Sequence, residues 1–161
     1  MTELPAVASW IGRQWQSEEI LVTRHDIRRY AYATRATNPV HVDVEAATAA
    51  GYADLVAPPT FCIALRALTT AIVPIDRMGP DGLYLGPLPP LPVERAMAGE
   101  TRLEFHADIV AGDGVVIRTR IEDIYSKTGR SGQLYFVVFE RHYETRGGVL
   151  ASLERSTSVF R

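Results

Sequence analysis

Histidine is the side chain whose neutral form is an available base near pH 7. Of the four in this chain, His41 has the most suggestive setting, Thr37-Asn38-Pro39-Val40-His41. Taken alone, a histidine after Asn-Pro reads as a turn or packing residue, so its chemistry depends on what surrounds it. Asn38 carries an amide able to orient a bound water or carbonyl, although asparagine before proline is a turn former in its own right. Asp43 stands before Val44-Glu45-Ala46 and reads as a helix cap rather than as an acid partner for His41. No spacing among His25, His41, His106 and His142 sets two on one helix face, and there is no cysteine to join them, so no metal site is expected. Cys62, the sole cysteine, lies in an apolar stretch and reads as a small buried hydrophobe.

A second place for chemistry is the start of the helix that follows Pro58-Pro59. Proline suits the first helical positions because its missing N–H would have had no partner there. The free N–H groups nearest that end belong to Thr60 and Phe61, and the positive end of the helix dipole faces the same way. The Thr60 hydroxyl either adds a contact to a ligand or does no more than begin the helix.

The elements that hold these residues follow from periodicity. Thr23 or Asp26 caps a helix through Ile27, Tyr30, Ala31 and Ala33, ending near Thr34. A short irregular segment leads through His41 to a helix from Val44 to Ala50, closed by Gly51. From Pro58 to Pro74 the spacing of Phe61, Leu65, Leu68 and Ile72 predicts a helix of about four turns. Ile63, Ala64, Ala67 and Ala71 make the rest of its circumference apolar or small, the pattern of a core helix. Six prolines between Pro74 and Pro92 predict a loop or irregular edge. Leu103, Phe105, Ala107 and Ile109 then alternate with polar residues as in a half-buried strand. Further strands are predicted over Val115–Tyr125, Gln133–Thr145 and Val149–Phe160, with Ser126–Gly132 as a connection in which Lys127 and Arg130 are solvated. Leu134 to Phe139 is apolar on both faces, so that strand is expected to be central. The result is an α+β domain spanning 1–161, a curved antiparallel sheet wrapped around a long apolar helix, with an open apolar sheet face that favours a dimer.

Composition narrows the function classes. A chain of 161 residues with 47% hydrophobic and 22% charged residues has the make-up of one globular domain. Its 17 basic and 19 acidic residues are mixed along the sequence, which does not favour nucleic acid. The first residues lack a basic start followed by an apolar run and cleavage site, and Leu55–Ile75 is interrupted by Pro58, Pro59 and Arg66. A cytoplasmic protein that does not cross a membrane is therefore expected.

The run Tyr32-Ala33-Thr34-Arg35-Ala36-Thr37-Asn38-Pro39-Val40-His41-Val42-Asp43, with Ala47, Ala50, Gly51 and Ala57-Pro58-Pro59-Thr60-Phe61, resembles the hydratase motif of the MaoC-like hydratase/dehydratase family. Ala111-Gly112-Asp113 and Lys127-Thr128-Gly129-Arg130-Ser131-Gly132 also look like that family, and Pro92–Phe105 is similar to its mesaconyl-CoA hydratase branch. The resemblance implies a hot-dog fold and reversible addition of water to a trans-2-enoyl thioester carried on coenzyme A or acyl carrier protein, with no other cofactor. In that family an Asp and a His five residues apart hold and activate the water. The His falls on His41, as general base, and the Asp position falls on Ala36. Asn38, Thr60 and Phe61 are then candidates for binding the substrate. Two other functions stay open, a non-catalytic acyl-binding subunit of a heteromeric dehydratase and a thioesterase. The expected partner is a second hot-dog chain, the same or different.

Overall fold

The computed structural model describes residues 5–69, 75, 78, 87–92, 95–129 and 132–161. In chain order its elements are α1 (Pro5–Ala8), β1 (Gln14–Gln16), β2 (Ile20–Leu21), α2 (Arg24–Thr34), a 3-10 turn (Pro39–His41), α3 (Val44–Ala49), α4 (Phe61–Thr69), β3 (Ala96–Phe105), β4 (Gly114–Gly129), β5 (Gly132–Thr145) and β6 (Leu150–Phe160). The strands form one antiparallel sheet in the order β1-β4-β5-β6-β3, with β2 also paired to β4. β5 occupies the middle, as its two apolar faces predict, and Val137, Val138 and Phe139 are all buried.

Thr23 and Asp26 work together rather than as alternatives. The Thr23 hydroxyl accepts from the Asp26 N–H and the Asp26 carboxylate accepts from the Thr23 N–H, each at 3.2 Å, a capping box that opens α2. Asp43 caps α3 as expected, its carboxylate accepting from the Glu45 N–H at 2.9 Å. Gly51 follows α3 at φ +93°, a conformation that favours glycine.

α4 lies against the inner face of the sheet, where Phe61, Cys62 and Leu65 pack with Val115, Ile117, Tyr143 and Ala151. Two expectations about this helix change. Pro58 and Pro59 stand in the turn before it, since its first helical residue is Phe61. It is also not buried all round, because Ala67 is exposed and Leu68 is 41% exposed. Ala71, Ile72 and Pro74, which would have extended it, lie outside the described residues.

The strands differ in three respects from their sequence reading. β3 begins earlier and ends at Phe105, so Ala107 and Ile109 lie beyond it, and as an edge strand it is mostly exposed. The Ser126–Gly132 connection is largely strand, because β4 and β5 continue as a hairpin through Thr128↔Gln133 and Gly129↔Gly132. Lys127 is thus a strand residue whose ammonium sits 5.4 Å from the Tyr125 and Phe136 rings, while Arg130 lies outside the described residues. Finally, the open face of the sheet is mixed rather than apolar throughout, with Tyr125 stacked on Phe136 beside Val138 toward one end. It carries Arg118 paired with Glu144 at 2.9 Å and Arg155 paired with Glu122 at 2.6 Å, beside Glu140 and His142. Among the described residues no helix is long and apolar enough to cross a membrane.

Candidate active site

Three backbone segments are laced together just ahead of α4. The Val56 N–H donates to Val40 O at 3.1 Å, the Ala57 N–H to Ile109 O at 2.8 Å, and the Ala111 N–H to Leu55 O at 2.9 Å. This ladder ties the 3-10 turn holding His41 to the approach of α4 and to the segment after β3. His41 is 8% exposed, and its Nδ1 lies 2.7 Å from Val56 O. A carbonyl oxygen can only accept, so in the neutral imidazole the proton resides on Nδ1 and Nε2 keeps its lone pair. That is the tautomer a general base requires, held by the same residue whose N–H bonds back to Val40.

Position 36 is set just as firmly. α2 ends at Thr34 and is capped by Arg35, which takes the left-handed conformation at φ +54°, and the Ala36 N–H then closes back on Ala31 O at 2.9 Å. The side chain delivered there is a methyl group, with no proton to give and no lone pair to accept one. Among the described residues the His41 ring bonds to Val56 O, its backbone N–H donates to Asn38 O at 3.2 Å, and no carboxylate pairs with the ring.

The other candidates divide. The Asn38 amide oxygen caps the 3-10 turn, accepting from the Val40 N–H at 3.3 Å, so the turn-forming role is real and the amide nitrogen is what remains for a ligand. Thr60 is exposed and is held by Tyr30, whose hydroxyl lies 2.9 Å from Thr60 Oγ1 and 3.0 Å from Thr60 O. The Thr60 N–H makes no backbone hydrogen bond among the described residues. Phe61 is instead taken up by the fold. Its N–H donates to Pro58 O at 2.8 Å, and its ring, 2% exposed, meets Tyr30 edge-on at 5.5 Å. The pair of N–H donors expected at this helix start is thereby reduced to Thr60. Cys62 is buried as expected, and burial pushes its thiol up from the ordinary range. The described residues include no cluster of three or more metal-ligating side chains.

Next to this assembly is a cavity of about 220 Å³ whose walls include Ala57, Pro58, Phe105, Asp108, Ile109 and Ser152. Ala57 links it to His41, being the next residue after Val56. Neither Asp108 nor Ser152 stood out in the sequence. Tyr52 marks Asp108, whose charge and hydrogen bond hold the phenol above its ordinary pKa.

Deeper under α4 lies a charged network that was also not anticipated. Glu154, fully buried, accepts from Arg141 Nη1 at 2.9 Å, from Arg66 Nη1 at 2.7 Å and from the Tyr143 hydroxyl at 2.5 Å. Burial pushes its carboxyl up, but Arg141, Arg66 and the Tyr143 hydroxyl together outweigh that and hold it below the ordinary range. Burial acts on Arg141 in the opposite sense and draws its guanidinium down.

A UPF0336 protein of Parafrankia sp. strain EAN1pec is 37% identical over 150 residues, covering 92% of this chain and 90% of that one. A solved MaoC-like dehydratase superposes with a TM-score of 0.71 at 25% identity, covering 96% of this chain and 43% of the other. The HadBC (3R-hydroxyacyl-ACP dehydratase) complex of Mycobacterium tuberculosis gives 0.70 at 22% identity, covering 93% and 96%. These superpositions bear out the α+β hot-dog fold and the MaoC-like resemblance. The family described as "FAS1-like, dehydratase domain region" matches residues 9–153, and the chain belongs to it.

Proposed function

We propose that this chain handles an acyl thioester, on coenzyme A or acyl carrier protein, in the reversible hydration of a trans-2-enoyl group, with His41 as general base. The observation that carries the reading is the Nδ1–H bond to Val56 O, which leaves Nε2 basic in a buried ring. In hydration Nε2 takes a proton from water as the water oxygen bonds the β-carbon. The displaced electron pair moves through the α-carbon onto the thioester oxygen, and as it returns the α-carbon takes the proton from Nε2, which restores the neutral imidazole and completes the addition of one water. The Thr60 N–H and hydroxyl at the start of α4 suit that oxygen, and the Asn38 amide nitrogen suits the water. No cofactor is required.

The test is hydration of crotonyl-CoA and mesaconyl-CoA by the purified chain, followed by loss of the conjugated thioester absorbance. Wild type is expected to act and His41→Ala to lose the activity. Activity retained in His41→Ala refutes the assignment of the base.

Ala36 favours a second reading, in which the chain is the acyl-binding half of a two-chain dehydratase and a partner hot-dog chain brings the acid. The likeness to one chain of the HadBC complex supports it. On that reading neither substrate turns over until a second hot-dog chain is co-purified, whereas the first reading needs only this chain or its homodimer. A thioesterase would need a carboxylate or strong base beside α4, and Glu154 there is engaged by Arg141, Arg66 and Tyr143.

A further inference from the structure

α2 gathers positive charge in a chain that is otherwise acidic. Arg24 to Arg35 holds four arginines and one aspartate, a formal +3, while the remaining 13 basic and 18 acidic residues leave the rest of the chain at −5. Ile27 and Ala31 are buried beneath the helix, so His25, Arg28, Arg29 and Tyr32 fall on the opposite side, with Arg35 at its cap. Arg29 and Arg35 are exposed, and among the described residues neither side chain has an ion-pair or hydrogen-bond partner. Arg28 gives its Nε to Val42 O at 3.1 Å. Asp54, the acid that feels Arg28, is already held by Arg24 at 2.8 and 2.7 Å. In the middle of this stripe Tyr32 is 71% exposed.

We propose that the outer face of α2 docks the acidic surface of an acyl carrier protein, with Arg29, Tyr32 and Arg35 as its contacts. The proposal rests on the thioester reading given above and decides which of the two carriers brings the ester. Arg28 and Arg35, seven residues apart, stand roughly 10 Å apart along the helix axis. Cations strung along a convex helix do not converge on one phosphate, and no arginine of α2 lines the 220 Å³ cavity at the site. Such a row around an exposed tyrosine matches carboxylates spread over a protein surface, where tyrosine and arginine carry much of the binding energy. A symmetric contact with a second copy at this face would bring like charges together. The stripe also ends beside the candidate site. Ala36 follows Arg35, the Val42 that takes the Arg28 bond follows His41, and Tyr30 of the same helix holds Thr60 at the start of α4.

The experiment titrates dye-labelled butyryl-acyl carrier protein with the full chain by fluorescence anisotropy, at low and at high salt, beside calorimetric titration with butyryl-CoA. Wild type is expected to bind the carrier protein and to lose affinity as salt rises. The double variant Arg29→Glu, Arg35→Glu should weaken the carrier protein by about tenfold or more and leave butyryl-CoA within about twofold. Tyr32→Ala should act in the same direction. Arg35→Gly separates binding from folding, since glycine accommodates φ +54° and the variant should keep the wild-type melting temperature while still weakening the carrier protein. Equal weakening of both esters assigns the arginines to coenzyme A phosphates and overturns the proposal. So does a wild type that binds butyryl-CoA but not the carrier protein, or a carrier affinity that neither salt nor the substitutions change. Binding of duplex DNA or anionic vesicles through the same arginines, tighter than that of the carrier protein, overturns it as well. Each of these leaves the thioester reading in place, whereas failure of wild type to bind either ester overturns both.

Discussion

Replacing Glu154 by leucine tests whether the charged network under α4 is held together by compensation. Glu154 and Arg141 have side chains 1% and 8% exposed, so the substitution strands a guanidinium in the interior. Removing one partner of a buried pair typically costs about 3–5 kcal/mol. The buried Tyr143 hydroxyl loses its acceptor too, at about 1–3 kcal/mol taken alone, and these costs are coupled rather than additive. A loss of about 4 kcal/mol is therefore expected. For a domain of this size that lowers Tm by about 10 °C. The triple variant Arg141→Met, Tyr143→Phe, Glu154→Leu removes both buried charges and the phenol at once, and leaves only Ser156, which accepts from Arg141 at 2.7 Å, to lose a partner. Arg66, whose side chain is 41% exposed, can turn to water. The triple variant should return to within about 2 kcal/mol of wild type, since a buried ionic cluster seldom outperforms apolar residues of equal volume.

Urea melts at one fixed protein concentration give both numbers. Repeating them against pH adds an independent reading. The folded Glu154 carboxyl titrates below its unfolded value, so the unfolded state binds more protons between the two. Its contribution is complete above the ordinary glutamate pKa of about 4.3 and is lost as pH falls through the lower folded value. Wild type should thus show a steeper acid limb than the triple variant. A loss under about 1 kcal/mol in Glu154→Leu would refute the reasoning, because the stranded arginine would then be finding solvent.

Three further outcomes follow from other parts of the fold. Ala36→Asp should raise crotonyl-CoA hydration by about 10²-fold or more, the usual worth of one acid/base group, and His41→Ala should cancel the gain. Thr23→Ala removes the hydroxyl of the capping box and should cost about 1 kcal/mol in a urea melt. Cys62, buried and with its thiol pushed up by burial, should not react with an aromatic disulfide reagent at neutral pH until urea unfolds the chain.

Local signals proved readable where local chemistry decides the structure. The Thr23/Asp26 cap, the Asp43 cap and the doubly apolar run in β5 all rest on residues close together in sequence. What local pattern does not reveal depends on distant partners. β6 alternates Ala151 and Leu153 with Ser152, Glu154 and Ser156, a pattern that would turn the polar set outward. The structure instead buries Ser152, Glu154 and Ser156 on the face toward α4, which is tolerable because Arg141, 13 residues from Glu154, and Arg66, 88 residues away, meet the carboxylate. Likewise Lys127 is exposed as expected but stands in a strand and not a turn, because nothing local announces that β4 and β5 continue as a long hairpin. At the site, the pattern around His41 draws attention to that residue, but nothing local announces the Val56 carbonyl that meets its Nδ1.

The polar row on the inner sheet face also separates two apolar clusters. One gathers Phe61, Leu65, Ile117 and Tyr143 beside the candidate site, and the other gathers Ile121, Val137, Phe139 and Phe160 farther along the strands. Between them, Thr119 pairs in register with Arg141, and Arg141 with Glu154, across β4, β5 and β6. A ligand seated at the start of α4 therefore faces a cavity with a polar floor at Ser152, and the next inner-face residue along β6 is the committed carboxylate of Glu154. An acyl group long enough to pass Ser152 would have to displace ion-paired, buried side chains before reaching the second cluster. On the thioester reading proposed above, that barrier would limit chain length, and it is removed in the triple variant. If the variant folds and gains affinity for octanoyl-CoA over butyryl-CoA relative to wild type, the polar row acts as the stop. If the preference does not change, chain length is set elsewhere.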